Sequence, residues 1–534
     1  MYKREWLSKM KRWAKRRAEV LAWLFLAAML CITVAGYARA GRHNLNSDIS
    51  SEMVLAELLN REGSLLSEGW YYSTELRVVS SVPVYQLGLR LFPGDWHMAR
   101  TFSIAVLLTL LSASIIYMGR GAGLRASPMF AAGALLLPIG SVQAFLLTYG
   151  GFYTTYIALA FAIIGMVLRL PLRRGRIRRL VLIAVLSFWG GLNGVRMPML
   201  CGAPLLLACA WGLWDALREA ERPAQALHTP QAMMALGAGV SGAAMVAAFL
   251  INWLYLSQRY TFRQYGGAAM GAVDADAFLA QLRHFVGYFG YEDGVRLLSA
   301  RGIGNLLTLA LLAAFVWALV KAMRSRARRD AQARLLGDFS ACALAVGLTL
   351  NAVLGEYENA YSTAYYLPGV FALVMTLFAQ TERLDCRMPW LRTLCSLAVA
   401  GIFVWQGSEY VLCDLRTIES EHERAAAWLT ENGYTQGYAT FWNGNVLTEC
   451  SDGQLELIVY DNWYSYEPYP WLQEKVHLTE LPQGRVFVYV DDSELADEPP
   501  CAKEEHLVWR GEGAGIYAYD SAEEIEMLQH RLSD

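Results

Sequence analysis

Two acidic residues stand four positions apart in the stretch NSDISSEMVLAELLNREG, which runs from Asn46 to Gly63. A helix here places the carboxylates of Asp48 and Glu52 on one face, because residues four apart are neighbours on a helix. A carboxylate that is partly desolvated has a raised pKa and can accept a proton from a hydroxyl group. The alternative is structural: Asp48 caps the helix, and Glu52 complements the helix dipole.

A second chemical feature is Arg196, which stands among glycines and a proline in the stretch WGGLNGVRMPML. Irregular backbone at membrane depth lines cavities, because unpaired backbone groups are too costly in lipid. An arginine there can bind a phosphate through two parallel hydrogen bonds, and Asn193 is a weaker candidate beside it. The alternative is an arginine that extends its charged end to the membrane interface.

Further candidates for binding phosphate or sugar lie in the loops. Arg77 and His97 follow the acid pair along the chain, although residues of this kind are more often surface or capping groups. The stretch EYENAYSTAYYLP adds acids and tyrosines that are able to line a donor or acceptor groove. Its groove candidates are Glu356, Glu358 and Tyr361, and its donor-binding candidates are Tyr365 and Tyr366. The alternative for these five is an aromatic belt at the membrane interface.

Composition indicates which elements hold these residues. The chain has 534 residues, of which 55% are hydrophobic and only 18% are charged, and its mean hydropathy is +0.27. Apolar runs that are long enough to span a bilayer recur through the first three quarters. We therefore predict a mainly α membrane protein with about eleven transmembrane helices, amphipathic helices in the first outside loop and a small C-terminal α/β soluble domain.

The charged residues are segregated, which predicts the orientation of the chain. MYKREWLSKMKRWAKRR has eight basic residues and one acidic residue, RLPLRRGRIRR has six arginines, and KAMRSRARRDAQAR has six basic residues. Lys and Arg accumulate in cytoplasmic loops, so these segments and the N-terminus are predicted to be cytoplasmic. The tail Arg416–Asp534, with 7 basic and 24 acidic residues, is then outside. The basic runs mark topology and predict no nucleic-acid partner.

The chain is accordingly predicted to have three parts in a multi-pass protein of the cell membrane. A basic cytoplasmic arm covers 1–19, the polytopic membrane domain covers 20–408, and an extracytoplasmic α/β domain covers 415–534. The first outside loop, 39–98, is too long to be a plain connector.

Two short helices are expected to lie flat at the membrane interface within the first outside loop. Ser47 or Asp48 is predicted to cap the first helix, and Gly63 to end it. Pro83 is predicted to bend or interrupt the second. In the C-terminal domain we predict a helix, five strands and a final helix, in the stretches IESEHERAAAWLTENG, GYATFW, LELIVY, RVFVYV, HLVWR, GIYAYD and SAEEIEMLQHRL.

The nine cysteines do not suggest a metal site, because no Cys and His spacing is typical of zinc. Three of them, Cys413, Cys450 and Cys501, are predicted to be outside, which permits one disulfide, such as Cys450–Cys501, without requiring it. No Gly-rich phosphate loop is found, and this argues against a reaction driven by a nucleotide.

The first loop and the start of the second predicted span resemble the integral-membrane GT-C glycosyltransferases, the group that includes protein O-mannosyltransferases and aminoarabinose transferases (family 39-like). The shared features are a basic N-terminus before one span, an early acid pair, a Gly-ended helix and the segment Leu-Phe-Pro-Gly-Asp before Ala-Arg. The matching residues are Asp48, Glu52, Ala56, Gly63, Pro83, Tyr85, Leu91, Phe92, Gly94, Ala99 and Arg100.

This resemblance implies transfer of a hexose or pentose outside the cytoplasm, from a polyprenyl-phosphate donor to a glycan, lipid or protein acceptor. It implies that Asp48 is the general base, that Glu52 is a second acid and that the anomeric centre inverts. Basic side chains, or a divalent metal such as Mg or Mn, would hold the departing phosphate.

Two other hypotheses stay open from the sequence. A transporter or flippase of lipid-linked sugars or envelope polysaccharide precursors predicts inverted repeats and polar residues deep in the membrane. A non-catalytic membrane protein whose tail binds a partner predicts a first loop without chemical features. Acids are few within the apolar runs of this chain, which favours chemistry at the membrane surface.

Overall fold

The structure is a computed structural model that describes residues 2–262, 275–353, 364–385, 388–416 and 419–528. It is mostly helical, with a small C-terminal sheet domain. The predicted fold class is thereby confirmed. Glu356, Glu358 and Tyr361 lie outside the described residues.

The chain divides into two compact units. The helical unit comprises Met1–Thr33, Leu107–Leu254 and Gly266–Leu412. The mixed unit comprises Val34–Val106, Tyr255–Tyr265 and Cys413–Asp534. The acid pair and the sheet therefore belong to the mixed unit, whereas Arg196 belongs to the helical unit.

Seventeen helices precede the sheet domain in the described residues. They are α1 Tyr2–Ala40, α2 Ser47–Glu62, α3 Val82–Leu91, α4 Trp96–Gly121, α5 Ser127–Leu136, α6 Ser141–Gln143, α7 Thr154–Val167, α8 Arg176–Gly191, α9 Ala203–Glu219, α10 Pro223–Ala226, α11 Pro230–Ile251, α12 Ser257–Arg259, α13 Ala275–Tyr288, α14 Ala300–Arg324, α15 Ala331–Val353, α16 Leu367–Glu382 and α17 Pro389–Arg416.

Within the described ranges, seven helices are long and apolar enough to cross a membrane. An eighth span results if the pair Ser127–Leu136 and Ser141–Tyr149, bent by 95°, counts as one broken span. Helix α7 is apolar but shorter. The multi-pass character agrees with the sequence, and the count of eleven spans stays a prediction.

Small residues let the helices of the helical unit approach closely. The hydroxyls of Ser187 in α8 and Ser241 in α11 are 2.7 Å apart and buried. A Cβ on Gly191 would lie 2.4 Å from the carbonyl oxygen of Met245, so only glycine fits there. Close backbone packing of this kind is how helices associate where lipid replaces water.

The start of α2 differs from the prediction, because Asn46 is the cap. Its side chain accepts a hydrogen bond of 3.0 Å from the backbone N–H of Ile49, and its own backbone is extended. The prediction that Ser47 or Asp48 caps this helix was wrong, since both lie inside the first turn. Gly63 ends α2 in the left-handed conformation with φ 66°, as predicted.

Pro83 begins a helix instead of bending one. It lies in the first turn of α3, where a missing N–H costs nothing because that turn has no partner for it. The residues just before Val82 are not helical, so the predicted second stretch is helical only in its later part. A Cβ on Gly88 would lie 2.5 Å from the carbonyl oxygen of Ala99. The glycine therefore lets α3 lie close to the start of α4.

The C-terminal part is a five-stranded sheet with the order β2-β1-β3-β5-β4. The strands are β1 Gln436–Thr440, β2 Glu456–Tyr460, β3 Val486–Asp491, β4 Leu507–Arg510 and β5 Ala514–Tyr519. Strands β1, β2 and β3 are parallel, and β5 runs antiparallel to both β3 and β4. All five predicted strands are present.

Three further helices accompany this sheet. Helix α18, Glu421–Glu431, begins with a capping box formed by Ser420 and Glu423. Helix α19, Phe441–Cys450, connects β1 to β2, and the short α20, Asp492–Leu495, follows β3.

The sequence did not predict α19, because the aromatic residues at its start continue the strand pattern of β1. Phe441 and Trp442 were assigned to the end of a strand, and the structure places them in the first turn of the helix. The predicted final helix begins later than predicted, at residue 526, after a 3₁₀ turn at Ala522–Glu524. Residues 529–534 lie outside the described part of the chain.

The sheet has two hydrophobic clusters, and these clusters separate the cysteines. Cys450 belongs to the cluster that includes Leu429 and Phe487, and Cys501 belongs to the cluster that includes Val488. Both are free thiols in buried positions. The disulfide that the sequence permitted between them is therefore not formed in this structure.

Candidate active site

The acid pair lies on α2, as its spacing predicts, but the two carboxylates have different surroundings. Glu52 is 2% exposed, whereas Asp48 is only partly buried in the first turn. Oε1 of Glu52 lies 3.2 Å from Nη1 of Arg77, and its Oε2 accepts a hydrogen bond from the hydroxyl of Ser81. Both oxygens of the Glu52 carboxylate thus have a partner, one a charged guanidinium and the other a hydroxyl.

Asp48 keeps its carboxylate available. None of the described residues donates a hydrogen bond to its side chain, and the cap of α2 is made by Asn46 instead. Burial raises the pKa of Asp48, and the positive charge of Arg77 opposes that rise. Burial also raises the pKa of Glu52, against the effects of Arg77, Ser81 and Arg100. An accessible carboxylate with a raised pKa is suited to accepting a proton.

Arg77 is held in an unusual backbone conformation beside the acids. Its φ of 58° lies in the left-handed region, which residues with a Cβ rarely adopt. The ion pair with Glu52 and a hydrogen bond of 2.8 Å from the hydroxyl of Ser80 to its carbonyl oxygen hold it there. Such strain persists where the surroundings fix it, and it is common at functional sites.

A buried ion pair fixes α2 to the sheet domain. Arg100, 1% exposed, donates two hydrogen bonds to the carboxylate of Glu449 in α19, one of them 2.8 Å long from Nη2 to Oε2. The same Nη2 lies 3.1 Å from the carbonyl oxygen of Ile49, the residue after Asp48. The guanidinium also lies 4.7 Å from the ring centroid of Tyr85. These contacts hold the first turn of α2 in place.

Sequence reasoning did not find this ion pair. Arg100 entered only as part of the family resemblance, and Glu449 was not singled out. The available signal was Arg100 itself, because an arginine at the start of an apolar helix needs a partner when it is buried. Its partner could not be named, since Glu449 follows 349 residues later in a helix that the sequence did not predict.

His97 contacts the end of the first helix instead of the acid pair. Its Nε2 lies 2.7 Å from the carbonyl oxygen of Ala38, so it donates that hydrogen bond. This contact connects the start of α4 to the end of α1. A role for His97 in binding phosphate or sugar stays a prediction.

The remaining described candidates belong to the helical unit. The guanidinium of Arg196 lies 4.9 Å from the ring centroid of Tyr153 and 5.7 Å from that of Tyr156. The Asn193 amide donates a hydrogen bond to the hydroxyl of Tyr156. The backbone is irregular here, because α8 ends at Gly191 and a π-helical turn covers Pro198–Gly202.

Tyr365 and Tyr366 differ in exposure. Tyr365 is partly buried, whereas Tyr366 is fully buried and donates a hydrogen bond of 2.6 Å to Oε1 of Gln281. The structure therefore brings Asp48, Glu52 and Arg77 together in the mixed unit. It assigns Arg196, Tyr365 and Tyr366 to the helical unit.

The described residues around Asp48 offer a divalent metal one carboxylate ligand, so a metal there would depend on water or donor-phosphate oxygens for the rest. Of the two carboxylates, Glu52 already has Arg77 and Ser81 as partners, which leaves Asp48 as the one available carboxylate ligand of the pair. Mg²⁺ and similar ions need several oxygen ligands in regular geometry. Across the described ranges, no group of three or more His, Cys, Asp or Glu side chains is placed to hold a metal ion.

The fold of this chain has counterparts among solved structures. It is similar to the crystal structure of ArnT from Cupriavidus metallidurans bound to undecaprenyl phosphate, with a TM-score of 0.58 and 12% sequence identity, covering 93% of this chain and 97% of that chain. The apo state of the same protein matches with the same values.

A weaker likeness connects the chain to the apo oligosaccharyltransferase of Archaeoglobus fulgidus, with a TM-score of 0.49, 12% identity and coverage of 88% of this chain and 69% of that chain. No family model and no curated protein matches the sequence. The likeness to ArnT at 12% identity concerns the fold, and a fold alone does not determine a function.

Proposed function

We propose that the protein is a membrane glycosyltransferase that moves a hexose or pentose from a polyprenyl-phosphate donor to an acceptor hydroxyl outside the cytoplasm, with Asp48 as the general base. One observation carries this proposal. Of two acids on one helix face, Glu52 forms an ion pair with Arg77 and accepts a hydrogen bond from Ser81, while Asp48 is partly buried and accepts no hydrogen bond from another described residue. The ArnT-like fold and the undecaprenyl phosphate bound to ArnT support the choice of donor.

The reaction requires one proton transfer and one substitution. The acceptor oxygen attacks the anomeric carbon from the side opposite the lipid phosphate, while the bond from that carbon to the phosphate oxygen breaks. The configuration inverts, the acceptor proton moves to the Asp48 carboxylate, and the lipid phosphate departs with the electron pair. A base positioned in this way contributes roughly 10²-fold to 10⁴-fold to the rate.

Arg77 affects the pKa of the proposed base. Its positive charge opposes the rise in the pKa of Asp48 that burial causes, which favours the ionised form that the reaction needs. Glu52 in turn holds Arg77 at 3.2 Å. Arg77, Arg196 and His97 are proposed as phosphate or donor ligands, and Tyr365 and Tyr366 as donor-groove residues. Groove residues at Glu356, Glu358 and Tyr361 are part of the same proposal.

The proposal includes an orientation. The N-terminus and the arm 1–19 are cytoplasmic, the membrane domain covers 20–408, and the domain 415–534 is extracytoplasmic. The segregated charges of the chain support this arrangement, with 24 acids and 7 basic residues in the tail. Asp48 then lies on the side where a polyprenyl-linked sugar is presented to external acceptors.

The replacement Asp48→Asn tests the base directly. We expect transfer from undecaprenyl-phosphate sugars in proteoliposomes to fall by about 10²-fold to 10⁴-fold, because asparagine keeps the shape but cannot take the proton. Glu62→Gln, an exposed acid at the end of the same helix, is the matched control and should keep full activity. Transfer by folded Asp48→Asn protein at the wild-type rate would show that the base is another group.

The orientation is tested by labelling single cysteines in intact cells. A cysteine at position 48 should react with a membrane-impermeant maleimide, whereas one at Arg174, in a predicted cytoplasmic loop, should react only after the cells are opened. Labelling of position 48 only in opened cells would contradict the proposed site of reaction. Lipid-linked sugars and envelope glycans that accumulate or disappear in a deletion strain would then identify the donor and acceptor.

A further inference from the structure

A cavity of about 200 Å³ lies within the mixed unit on the side of α2 that faces away from Asp48. Helix α2 contributes Val54, Glu57 and Arg61 to its lining. Glu57 follows Asp48 by nine residues, and nine residues at 3.6 per turn make two and a half turns. The cavity is therefore separate from the proposed catalytic face.

Two tryptophans give this cavity an aromatic wall. Trp70 is fully buried, and Trp96 is nearly so. The buried Nε1 of Trp70 has no hydrogen-bond acceptor among the described residues, although buried indole N–H groups usually have one. An unsatisfied buried donor beside a cavity indicates a place for a ligand oxygen or an ordered water.

Several polar groups of the lining contact one another. Arg61 forms an ion pair with Glu474. Nε2 of His477 lies 3.1 Å from Oε1 of Glu456, and its Nδ1 lies 3.1 Å from Oε1 of Gln473. The lining has three acids, Glu57, Glu456 and Glu474, against one arginine, which disfavours an anionic ligand, whereas hydroxyl groups can bond to the oxygen and nitrogen atoms of the wall.

A second cavity, of about 170 Å³, adjoins the first. It shares Glu456 and His477 with the first cavity, and its lining includes Gln436 and Glu480. Two adjoining cavities with a common polar wall suit a ligand made of linked rings better than a single compact molecule.

We propose that these two cavities bind a neutral oligosaccharide, with one sugar ring in each, as part of acceptor recognition. A pyranose ring has an apolar C–H face that packs on an indole ring and a rim of hydroxyls that bond to carboxylates, amides and imidazole. The choice of a saccharide rests on the proposed function, whereas the cavities and their chemistry do not.

The test measures binding without turnover. Full-length Asp48→Asn protein in nanodiscs is examined by saturation-transfer difference NMR with maltose, cellobiose and N,N′-diacetylchitobiose, and with glucuronic acid as a charged comparison. We expect at least one neutral disaccharide to bind and glucuronic acid not to bind. Val54→Phe, which fills the first cavity, should weaken that binding about tenfold or more. Val508→Phe, at an exposed valine of β4, is the matched control and should bind normally.

A second variant controls for loss of binding that is caused by misfolding. Glu57→Gln keeps the size of the side chain and removes a carboxylate from the cavity wall, so binding should weaken while the unfolding temperature stays near that of the parent protein. The proposal is overturned if no neutral disaccharide binds, or if Val54→Phe and Glu57→Gln bind as the parent does. Because transfer is not measured, this outcome is distinct from a failure of Asp48 as the base.

Discussion

Each unit contains an arginine beside two carboxylates. The two clusters differ in whether the arginine also bonds to the second carboxylate. In the helical unit, Arg326 bonds to both acids: Nε and Nη2 lie 2.9 Å from the oxygens of Asp338, and Nη1 bonds to Asp215. In the mixed unit, Arg77 forms an ion pair with Glu52, while Asp48 interacts with Arg77 only through its electrostatic field. We call the first group the closed cluster and the second the open cluster.

This difference separates a cluster suited to a structural role from one suited to the proposed chemistry. Arg326, packed over Trp211 at 4.2 Å, donates hydrogen bonds to both of its acids, so each carboxylate already has a partner. Arg77 compensates one acid and leaves the other available. Two acids and one arginine are thus insufficient to identify a catalytic site, and the hydrogen bonds of each carboxylate decide between the two cases.

The largest expected effect on stability comes from the closed cluster. Arg326→Met should destabilise the folded protein by about 3–5 kcal/mol, because it leaves the carboxylates of Asp215 and Asp338 without their buried partner. Thermal unfolding in detergent measures the loss, and transfer per folded molecule should remain near the wild-type value. A loss of transfer with no change in the unfolding temperature would mean that this cluster is not merely structural.

Glu52→Gln should have a smaller effect and separates the two acids of the open cluster. Glutamine can still accept the hydrogen bond from Ser81 but removes the ion pair between Glu52 and Arg77, which should cost about 1–3 kcal/mol. Transfer should fall less than in Asp48→Asn, and the decline of the rate at acid pH should persist because Asp48 still titrates. If the acid decline disappears in Glu52→Gln and persists in Asp48→Asn, the roles of the two acids are reversed.

The sequence predicted the parts of this site that depend on local spacing. One helical turn between Asp48 and Glu52, and a glycine at the end of the helix, were sufficient to place both acids on α2. The family resemblance supplied the fold. The cap was assigned one or two residues late, because Asn46, Ser47 and Asp48 are all good capping residues and sequence alone does not choose among them.

The parts that depend on distant contacts were not predictable in the same way. Arg77 was a candidate for phosphate because of its type, yet its observed partner, Glu52, lies on the helix that precedes its loop. The pairing of Arg100 with Glu449 joins residues that are 349 positions apart in the chain. Such contacts are set by tertiary packing, which hydrophobic periodicity does not encode.

The smallest expected effect concerns the stability of the Asp48 site itself. Burial raises the pKa of Asp48 in the folded protein above its value in the unfolded chain. The stability that Asp48 contributes is therefore fully present below the pKa of the unfolded chain. It is lost as the pH rises through the pKa of the folded protein, because the buried carboxyl then ionises. At about pH 7 the ionised carboxylate therefore opposes folding, and Asp48→Asn should raise the unfolding temperature by roughly 1–2 °C. That gain should shrink as the pH is lowered towards the unfolded pKa.

Asn46→Ala provides the contrast for this measurement, because it removes the cap of α2 and should cost about 1 kcal/mol at every pH. Thermal unfolding of both variants across the same pH range distinguishes the two effects. If Asp48→Asn lowers the unfolding temperature in parallel with Asn46→Ala, then Asp48 contributes to the stability of the helix start. Its carboxylate would then be a structural group like those around Arg326, and the contrast between the two clusters would fail.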